Sequence, residues 1–324
     1  MTAIPARGDI DILFAHAAYR MGETFAARNT GLKFREVRDL DALKAAVPTA
    51  DVLVVSGLWR NELVELGPRL KFVQSIGAGT DQYSRDALKA KGIRLASAQG
   101  VNERSVSEHA MALILTFTRQ LHLARSNQAT RTWRPMITEP TRREQELGGK
   151  TLVILGLGRI GTRLATLARA FGMRVIGIRR DTAAAAGAAD EIVPPARLNE
   201  ALAQADFVAL NCPLTPETQG LIGSAALAAM KPSAVLINVA RGRVVDEPAL
   251  IAALEAGRIA GAALDCAWDE PIPTSSPLWA MPNVVITPHT AGETQKYEAN
   301  VVDILLENLD RLWRGETTLR NQVV

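Results

Sequence analysis

The stretch from Thr151 to Asp181 reads TLVILGLGRIGTRLATLARAFGMRVIGIRRD and carries the strongest structural signal in the chain. An apolar run, Thr151–Leu155, leads into the glycine pattern GLGRIG, and a helix-like segment is followed by a second apolar run, Arg174–Ile178. Strand, glycine turn, helix and strand in this order are typical of a dinucleotide-binding unit. The candidate contacts in the loop are Gly156, Leu157, Gly158, Arg159, Ile160 and Gly161.

The three glycines of this loop predict a site for a pyrophosphate. Gly156 permits a tight turn, Gly158 lets the backbone approach the phosphates, and Gly161 lets the helix pack closely on the strand. The N-terminus of the helix adds free N–H groups and a partial positive charge, which favour a bound anion. We therefore predict that this segment binds a dinucleotide.

The residues after the second strand bear on which dinucleotide binds. NAD sites usually carry Asp or Glu there, and its carboxylate accepts a hydrogen bond from the ribose 2′-hydroxyl. This chain carries Arg179 and Arg180 instead. A guanidinium can pair with a 2′-phosphate through two hydrogen bonds, so we expect NADP(H) to be favoured. NAD(H) stays possible, because Asp181 follows closely and could still reach a ribose hydroxyl.

Short apolar runs alternate with amphipathic segments along the chain, which predicts an α/β protein with parallel sheets. A long helical stretch, Glu103–Arg125, interrupts the series, a helical pattern closes the chain, and the alanine-rich segment 182–189 predicts a surface helix. We predict one α/β unit over residues 1–101, completed by residues 291–324, and a second over residues 102–290. The predicted strands are Ile10–Phe14, Val52–Val55, Lys71–Ser75, Ile93–Leu95, Thr151–Leu155, Arg174–Ile178, Phe207–Leu210, Ala234–Val239, Ile259–Leu264 and Val284–Thr287.

The composition excludes several other classes of protein. The chain has 324 residues, which suits two domains, and 48% of them are hydrophobic and 22% charged. The net charge of +3 is too small and too scattered for a nucleic-acid partner. No apolar run approaches the length of a membrane helix, Asp9 and Asp11 interrupt any signal peptide, and the two cysteines give no disulfide framework. We therefore expect a cytoplasmic protein with neither nucleic acid nor membrane as a partner.

Three side chains that follow strand-like runs in the second unit suggest chemistry. Arg241, Glu270 and His289 each come shortly after a predicted strand. Ligands of an open parallel sheet bind beyond the carboxyl ends of its strands, so these side chains can converge there. An arginine can grip a carboxylate, a histidine exchanges protons near neutral pH, and a glutamate that contacts the imidazole raises the pKa of the histidine. We therefore predict one catalytic cluster.

Six motifs occur in order over about residues 100–292, and together they resemble the D-isomer-specific 2-hydroxyacid dehydrogenase family. They are NERSVSEHAMALIL, LGLGRIG, LNCPLTPETQGLI, NVARGRVVDEPAL, ALDCAWDEP and ITPHTAG. The resemblance implies two doubly wound parallel-sheet domains with an interdomain cleft. The first would be a flavodoxin-like substrate-binding domain (1–101 and 291–324) and the second a Rossmann dinucleotide-binding domain (102–290). The resemblance also favours a homodimer.

The resemblance implies roles for individual residues. Arg241 would bind the substrate carboxylate and polarise its carbonyl, His289 would be the acid/base, and Glu270 would be its carboxylate partner. The backbone amides of Ala78 and Gly79, in SIGAGTDQY, would hold the substrate carboxylate as well. The implied reaction is hydride transfer between NAD(P)H and a small 2-keto acid, with glyoxylate or hydroxypyruvate favoured, to give a D-2-hydroxy acid.

Further cofactor contacts follow from the same resemblance. Asp265 would hydrogen-bond to the nicotinamide amide, and Cys212, Pro213 and Ala240 would line the cofactor groove. Asn211 stands where members of the family often have histidine, which is a departure on the cofactor side. No HExxH or CxxC pattern occurs in the chain, so we expect no metal.

Five other side chains attract interest but have an ordinary structural interpretation. Glu108 and His109 are adjacent on a predicted helix, where neighbours point about 100° apart, so we expect packing or interface residues rather than a dyad. Trp59, Arg60 and Trp133 are either substrate contacts or parts of packed and solvated loops. Trp133 could reach the cleft of a partner if its segment crosses a dimer interface.

Two alternative functions stay open. The first is a phosphoglycerate-type dehydrogenase without a regulatory domain, because too few residues follow His289 to form one. The second is a non-catalytic NAD(H)-binding protein similar to the C-terminal-binding-protein corepressors, which share the fold and retain the Arg–Glu–His set. Formate dehydrogenase is disfavoured, since its relatives carry glutamine where this chain has Glu270.

Overall fold

The computed structural model describes residues 4–183 and 186–324, which fold as two units. The first unit comprises Met1–Asn102 and Thr294–Val324, and the second comprises Glu103–Glu293. The boundaries predicted from sequence lie at residues 101 and 290 instead. Each unit contains one parallel sheet, which confirms the predicted class of two parallel-sheet α/β domains. The assignment of substrate binding to the first unit stays a prediction.

The first unit is built around a sheet that has five strands in the described part of the chain. They are β1 (Ile12–Ala15), β2 (Phe34–Val37), β3 (Val52–Val55), β4 (Phe72–Ser75) and β5 (Arg94–Ala96). The strand order is β2-β1-β3-β4-β5, and β1 and β3 are buried along their whole length. Strands covered on both faces have continuous apolar sequences, which is why the sequence predicts β1 and β3 clearly.

Helices connect these strands, and one further helix comes from the end of the chain. They are α1 (Met21–Ala26), α2 (Leu40–Ala46), α3 (Leu63–Leu66), α4 (Arg85–Ala90) and the C-terminal helix Tyr297–Trp313. Asp39 and Ser84 cap α2 and α4, because each side chain accepts a hydrogen bond from a backbone N–H of the first turn. Val301, Leu305 and Leu309 of the C-terminal helix are buried in the same core as β1, as their helical spacing predicts.

The second unit has a sheet of seven strands, again counted over the described residues. They are β6 (Thr151–Leu155), β7 (Arg174–Ile178), β8 (Glu191–Val193), β9 (Phe207–Leu210), β10 (Val235–Asn238), β11 (Gly261–Leu264) and β12 (Val284–Ile286). Their order is β12-β11-β10-β9-β6-β7-β8, so the direction in which strands are added reverses between β6 and β9. Ligands of open parallel sheets bind beyond the carboxyl ends of the strands at such a switch point.

The helices of the second unit differ in one respect from the prediction. They are α5 (Glu103–Thr118), α6 (Leu121–Ala129), α7 (Arg159–Ala170), α8 (Leu198–Leu202), α9 (Ser224–Ala229) and α10 (Glu247–Glu255). The predicted single helix over Glu103–Arg125 is wrong, because Gln120 adopts a left-handed backbone with φ of +52° and separates α5 from α6. Leu121 and Leu123 continue the apolar spacing but are exposed, so the pattern there does not mark a buried face.

Two strands of the structure were not predicted from sequence, and one predicted helix cannot be compared with the structure. β2 and β8 lie at the edges of their sheets and are largely half-buried, so they lack the continuous apolar runs of the inner strands. The predicted helix over residues 182–189 includes residues 184 and 185, which lie outside the described residues.

Within the described ranges, no helix combines the length and the apolar character that crossing a membrane requires. The cytoplasmic location stays a prediction.

Candidate active site

The glycine loop after β6 is tight on one side and open on the other. Gly156 has a φ of +100°, which favours glycine, and a Cβ on it would lie 2.8 Å from the backbone nitrogen of Cys212. A Cβ on Gly161 would overlap with the carbonyl of Gly156, so α7 packs directly on the turn. Gly158 is the N-cap of α7, and a Cβ on it would meet nothing described within 4 Å. The helix N-terminus is therefore open to an anion.

The other three residues of this loop lie in different environments. Leu157 is buried and fills the space beside Gly177, where a Cβ would overlap with the Leu157 side chain. Arg159 and Ile160 begin α7, and Arg159 is exposed whereas Ile160 is partly exposed. Leu157 therefore contributes packing through its side chain, and the backbone of the loop is the part suited to contact a phosphate.

Arg180, which follows β7, lies close to the loop that follows β9. Arg180 is exposed. The pKa of Glu217 is lowered mainly by the hydrogen bonds that its carboxylate accepts, and the charge of Arg180 lowers it further. Asp181, the other candidate for a ribose contact, accepts a hydrogen bond from Ala183 N at 3.0 Å. The Asp181 carboxylate is thus engaged in its own turn, and the side chains directly after β7 are the cations of Arg179 and Arg180.

The loop after β9 begins with a buried amide. Asn211 N donates to Leu155 O at 2.8 Å, but the side-chain oxygen and nitrogen of Asn211 are buried with no hydrogen-bond partner among the described residues. Buried polar atoms are normally paired, so this amide fits a site that a bound dinucleotide completes. Cys212 is buried, and burial raises the pKa of its thiol to about 11, which argues against a nucleophile. Pro213 beside it is exposed.

The loop after β10 carries Arg241 on a turn that Asn238 holds. Asn238 is buried, its Oδ1 accepts from Ala240 N at 3.0 Å, and its Nδ2 donates to Arg241 O at 3.1 Å. A Cβ on Gly242 would overlap with the backbone of Ala267, so the loops after β10 and β11 are in direct contact. Asn238 and Gly242 were not among the residues predicted from sequence, although a glycine directly after the candidate arginine is a signal of close backbone approach.

His289 and Glu270 form a hydrogen-bonded pair. His289 Nδ1 lies 2.8 Å from Glu270 Oε2, and Glu270 Oε1 accepts from Ala267 N at 3.0 Å. The hydrogen bond with Glu270 is the main reason that the pKa of His289 is raised, although burial opposes it. Burial pushes the pKa of Glu270 upwards, but the hydrogen bonds from His289 and Ala267 outweigh it, and the pKa is lowered. Because Nδ1 contacts Glu270, Nε2 is the nitrogen suited to exchange a proton with a ligand.

Arg241 lies close enough to this pair for its charge to act on both groups. It helps to lower the pKa of Glu270, since a cation stabilises a carboxylate, and it also lowers the pKa of His289, since it repels an imidazolium. The side chains of His289 and Glu270 are 45% and 41% exposed. The structure therefore brings the three predicted catalytic residues together in a cluster that a small ligand can reach.

Asp265 holds the loop that carries His289. Its buried carboxylate accepts from Thr287 Oγ1 at 2.6 Å and from the backbone N–H groups of Thr290 and Ala291, both at 3.0 Å. These contacts lie on both sides of His289, whose φ of +56° is a conformation that non-glycine residues keep only when their surroundings enforce it. The sequence did not indicate this role, and the predicted contact of Asp265 with a nicotinamide amide stays a prediction.

Ala78 and Gly79 lie in the first unit, in the loop that follows β4. Ser75 Oγ and Ala98 N both donate to Gly77 O at 3.0 Å and thereby fix the start of this loop. Ala78 and Gly79 are partly exposed. Their part in binding a carboxylate stays a prediction.

The structure distinguishes among the tryptophan and arginine candidates. Trp59 is buried in the core of the first unit, with its ring 4.9 Å from that of Tyr83, which favours the packing interpretation. Arg60 is exposed, and its guanidinium donates to Trp59 O at 2.7 Å. Trp133 is 97% exposed, so its side chain has little packing within its own chain.

Glu108 and His109 face different partners, as expected for neighbours on a helix. Glu108 is exposed and lies 3.4 Å from Arg163. His109 Nε2 lies 3.0 Å from Thr287 Oγ1, at the start of the loop that carries His289. The ring of His109 therefore takes part in a polar network within the chain rather than in a dyad with Glu108.

Comparison with known proteins identifies the family. Residues 111–291 match the family described as D-isomer specific 2-hydroxyacid dehydrogenase, NAD binding domain, which covers more than half of the chain. The chain belongs to the D-isomer specific 2-hydroxyacid dehydrogenase family. The resemblance inferred from the motifs is confirmed, and the second unit contains the NAD binding domain of an oxidoreductase family.

Individual members of this family are similar over much of the chain. D-3-phosphoglycerate dehydrogenase from Mycobacterium tuberculosis is 37% identical over 290 residues, which cover 86% of this chain and 52% of that protein. Glyoxylate reductase from Korarchaeum cryptofilum is 33% identical over 321 residues, which cover 97% of this chain and 91% of that protein. A crystal structure of a D-isomer specific 2-hydroxyacid dehydrogenase family protein from Aeromonas salmonicida has a TM-score of 0.85 and 28% identity, and the match covers 98% of this chain and 99% of that one. The chain spans about half the length of the phosphoglycerate dehydrogenase.

Proposed function

We propose that the protein reduces a small 2-keto acid to a D-2-hydroxy acid, with NADPH as the favoured hydride donor and glyoxylate or hydroxypyruvate as the favoured substrate. The hydrogen bond between His289 Nδ1 and Glu270 Oε2 carries this proposal, because it favours an imidazolium beside the cation of Arg241. A proton donor beside a cation that can bind a carboxylate suits the reduction of a 2-keto acid. The similarity to a glyoxylate reductase supports the substrate class.

The roles of the three residues follow from their chemistry. Arg241 offers guanidinium donors to the substrate carboxylate and to its carbonyl oxygen. A bound nicotinamide cofactor supplies the hydride to the carbonyl carbon. His289 donates the proton on Nε2 to that oxygen as negative charge develops there, and Glu270 stabilises the imidazolium beforehand. In the reverse direction, neutral His289 accepts the hydroxyl proton.

Arg179 and Arg180 support the preference for NADP(H). They follow β7, where sites selective for NAD carry a carboxylate. A 2′-phosphate at this position would meet two cations, and charge-assisted hydrogen bonds to phosphate are among the stronger polar contacts. Asp181 is a carboxylate that could serve NAD(H) here, and it accepts a hydrogen bond from Ala183 N. NAD(H) is therefore the alternative cofactor.

A panel of 2-keto acids, assayed with NADPH and with NADH, tests the proposal. We expect turnover of glyoxylate and hydroxypyruvate, with kcat/KM for NADPH higher than for NADH by about tenfold or more, which is the worth of one hydrogen bond to a charged group. Arg180→Ala should lower kcat/KM for NADPH and leave that for NADH unchanged. Arg197→Ala, which removes an exposed arginine paired with Glu200, is the matched control.

Two results of this panel would contradict the proposal. A clear preference for NADH would reject the cofactor assignment. A protein that binds cofactor but turns over none of the 2-keto acids would reject the enzymatic function and favour a binding role.

A phosphoglycerate-type dehydrogenase is the second candidate. The identity of 37% to the Mycobacterium tuberculosis enzyme over 86% of the chain favours it, although the match covers 52% of that enzyme. D-3-phosphoglycerate, added to the panel in the oxidative direction, distinguishes the two candidates. A higher kcat/KM for D-3-phosphoglycerate than for D-glycerate would favour this alternative.

We also propose that the protein forms a homodimer through the groove lined by Leu123, Trp133 and Met136. Trp133 and Met136 are 97% and 94% exposed, and clustered apolar side chains at a surface mark a protein contact. Sedimentation equilibrium is expected to give the mass of a dimer, and the double variant Trp133→Ser/Met136→Ser the mass of a monomer. Phe171→Ser, which removes another exposed apolar side chain, should leave the dimer intact. A monomeric wild-type protein at micromolar concentration would contradict this proposal.

A further inference from the structure

His109 reaches the loop of His289 through a short chain of hydrogen bonds. His109 Nε2 lies 3.0 Å from Thr287 Oγ1, and Thr287 Oγ1 lies 2.6 Å from Asp265 Oδ1. His109 Nε2 is also 3.7 Å from Asp265 Oδ1 itself. The contact joins α5 to residues 178 positions later in the chain. None of the roles proposed above uses His109.

The chemistry of the three groups fixes the direction of these hydrogen bonds. An ionised carboxylate only accepts, so the Thr287 hydroxyl donates its single hydrogen to Asp265. The Thr287 oxygen then has only acceptor positions left, and His109 must donate to it from Nε2. The imidazole N–H, the hydroxyl and the carboxylate therefore form one directed chain, in which each bond polarises the next.

This chain ends on the carboxylate that shapes the loop around His289. Asp265 also accepts from Thr290 N and Ala291 N, and His289 lies between these residues and Thr287 with its left-handed backbone. Such a conformation costs free energy and persists only where several contacts enforce it. A fixed Asp265 carboxylate therefore sets the direction in which the His289 ring leaves the loop.

We propose that His109 is a positioning residue that keeps His289 in hydrogen-bonding geometry with Glu270, acting through Thr287 and Asp265. In this role His109 touches neither substrate nor cofactor. The inference rests on the proposed function in one respect, which is the role of His289 as proton donor.

Loss of the His109 donor should loosen the loop and reduce the fraction of molecules in which His289 meets Glu270. We expect kcat to fall by about fivefold to tenfold, the worth of one hydrogen bond. The charged groups that act on His289 are Glu270, Arg241 and Asp265. Because contact with Glu270 raises the pKa of His289, the alkaline fall of kcat for reduction should move to lower pH.

Three single variants and a double variant test the inference by kinetics. His109→Leu removes the donor, Thr287→Val removes the hydroxyl at similar shape, and His109→Gln retains an N–H of comparable reach. We expect the double variant His109→Leu/Thr287→Val to be no slower than Thr287→Val alone, because His109 acts only through the Thr287 hydroxyl. His109→Gln should restore most of kcat, and Glu108→Gln, the matched control on α5, should behave as the wild type.

Two kinetic results would overturn the positioning role of His109. Unchanged kcat and an unchanged pH profile in His109→Leu would overturn it, even if the variant unfolds at a lower temperature. Additive losses in the double variant would also overturn it, because His109 and Thr287 would then act independently.

A second readout does not depend on turnover. The chain has four histidines, so the titration of each imidazole can be followed by NMR. His109→Leu is expected to lower the pKa of His289, whereas Glu108→Gln should leave it unchanged. If the wild type turns over no 2-keto acid, the proposed function fails, but this titration still decides the positioning role. A His289 titration that is the same in His109→Leu and wild type would overturn it.

Discussion

Replacing His289 with alanine is expected to lower kcat for 2-keto acid reduction by about 10²–10⁴-fold, the usual contribution of a general acid. The hydrogen bond with Glu270 raises the pKa of His289, so the imidazolium persists to higher pH than in an unperturbed histidine. In the variant, water must supply the proton. The dinucleotide is proposed to contact other loops, those of Gly156 and Arg180, so binding of NADPH should persist.

Steady-state kinetics and a fluorescence titration with NADPH measure the two quantities separately. His122→Gln is the matched control, because the ring of His122 lies on α6, 4.7 Å from the ring of Phe117, and has no proposed part in catalysis. Similar turnover in His289→Ala and the wild type would refute the assignment of the proton donor. Loss of NADPH binding in the variant would show that its effect is not confined to proton transfer.

The charge of Glu270 should affect the pH dependence of kcat, because it acts on the proposed proton donor His289. Glu270→Gln keeps an acceptor for His289 Nδ1 but removes the negative charge, so the pKa of His289 should fall. Reduction needs the imidazolium, and its alkaline fall in kcat should therefore move to lower pH. Oxidation needs the neutral ring, so its rise on the acid side should move to lower pH as well. An unmoved profile would mean that the two groups do not interact in the working enzyme.

The segment from β6 to β7 is predictable from sequence because its determinants are local. Gly156 and Gly161 are only five residues apart and are in direct contact. The flanking strands β6 and β7 are buried almost throughout, so their sequences are continuously apolar. Arg241, Glu270 and His289 are predictable for a related reason, since each follows an apolar run that ends at the same edge of a parallel sheet.

The remaining features depend on contacts that no local pattern records. The edge strands β2 and β8 are largely half-buried, and the exposed Leu121 and Leu123 imitate a buried helical face. The hydrogen bond between His109 and Thr287 joins residues 178 positions apart, so the sequence around His109 gives no indication of it. These contacts form only in the folded chain, between residues that are far apart in sequence.

Replacing Arg241 with alanine is expected to raise KM for the keto acid and lower kcat, so that kcat/KM falls by about 10²–10⁴-fold. Each hydrogen bond to a charged group contributes about 1.5–3 kcal/mol, and a guanidinium can make two of them to a carboxylate. Both parameters should change, because the contact with the carboxylate exists in the ground state and the contact with the carbonyl oxygen strengthens in the transition state. An unchanged KM would argue against carboxylate binding.

The turn should stay folded in Arg241→Ala, because its hydrogen bonds do not involve the side chain that is removed. Asn238 holds the turn through the backbone oxygen of Arg241 and the backbone nitrogen of Ala240. Arg243→Ala is the matched control, since the exposed guanidinium of Arg243 lies over the ring of Trp268 at 5.6 Å, and its kinetics should equal those of the wild type. Arg241→Lys keeps the charge but loses the planar fork, so its kcat/KM should be intermediate.

The pH profile of Arg241→Ala separates an electrostatic effect from a disturbed site. The charge of Arg241 lowers the pKa of His289, so its removal should raise that pKa and move the alkaline fall of kcat to higher pH. Glu270→Gln should move the same limb to lower pH, because the charge that it removes has the opposite sign. Opposite shifts in the two variants would mean that both charges act on one imidazole. A shift to lower pH in both would mean that Arg241→Ala breaks the contact between His289 and Glu270.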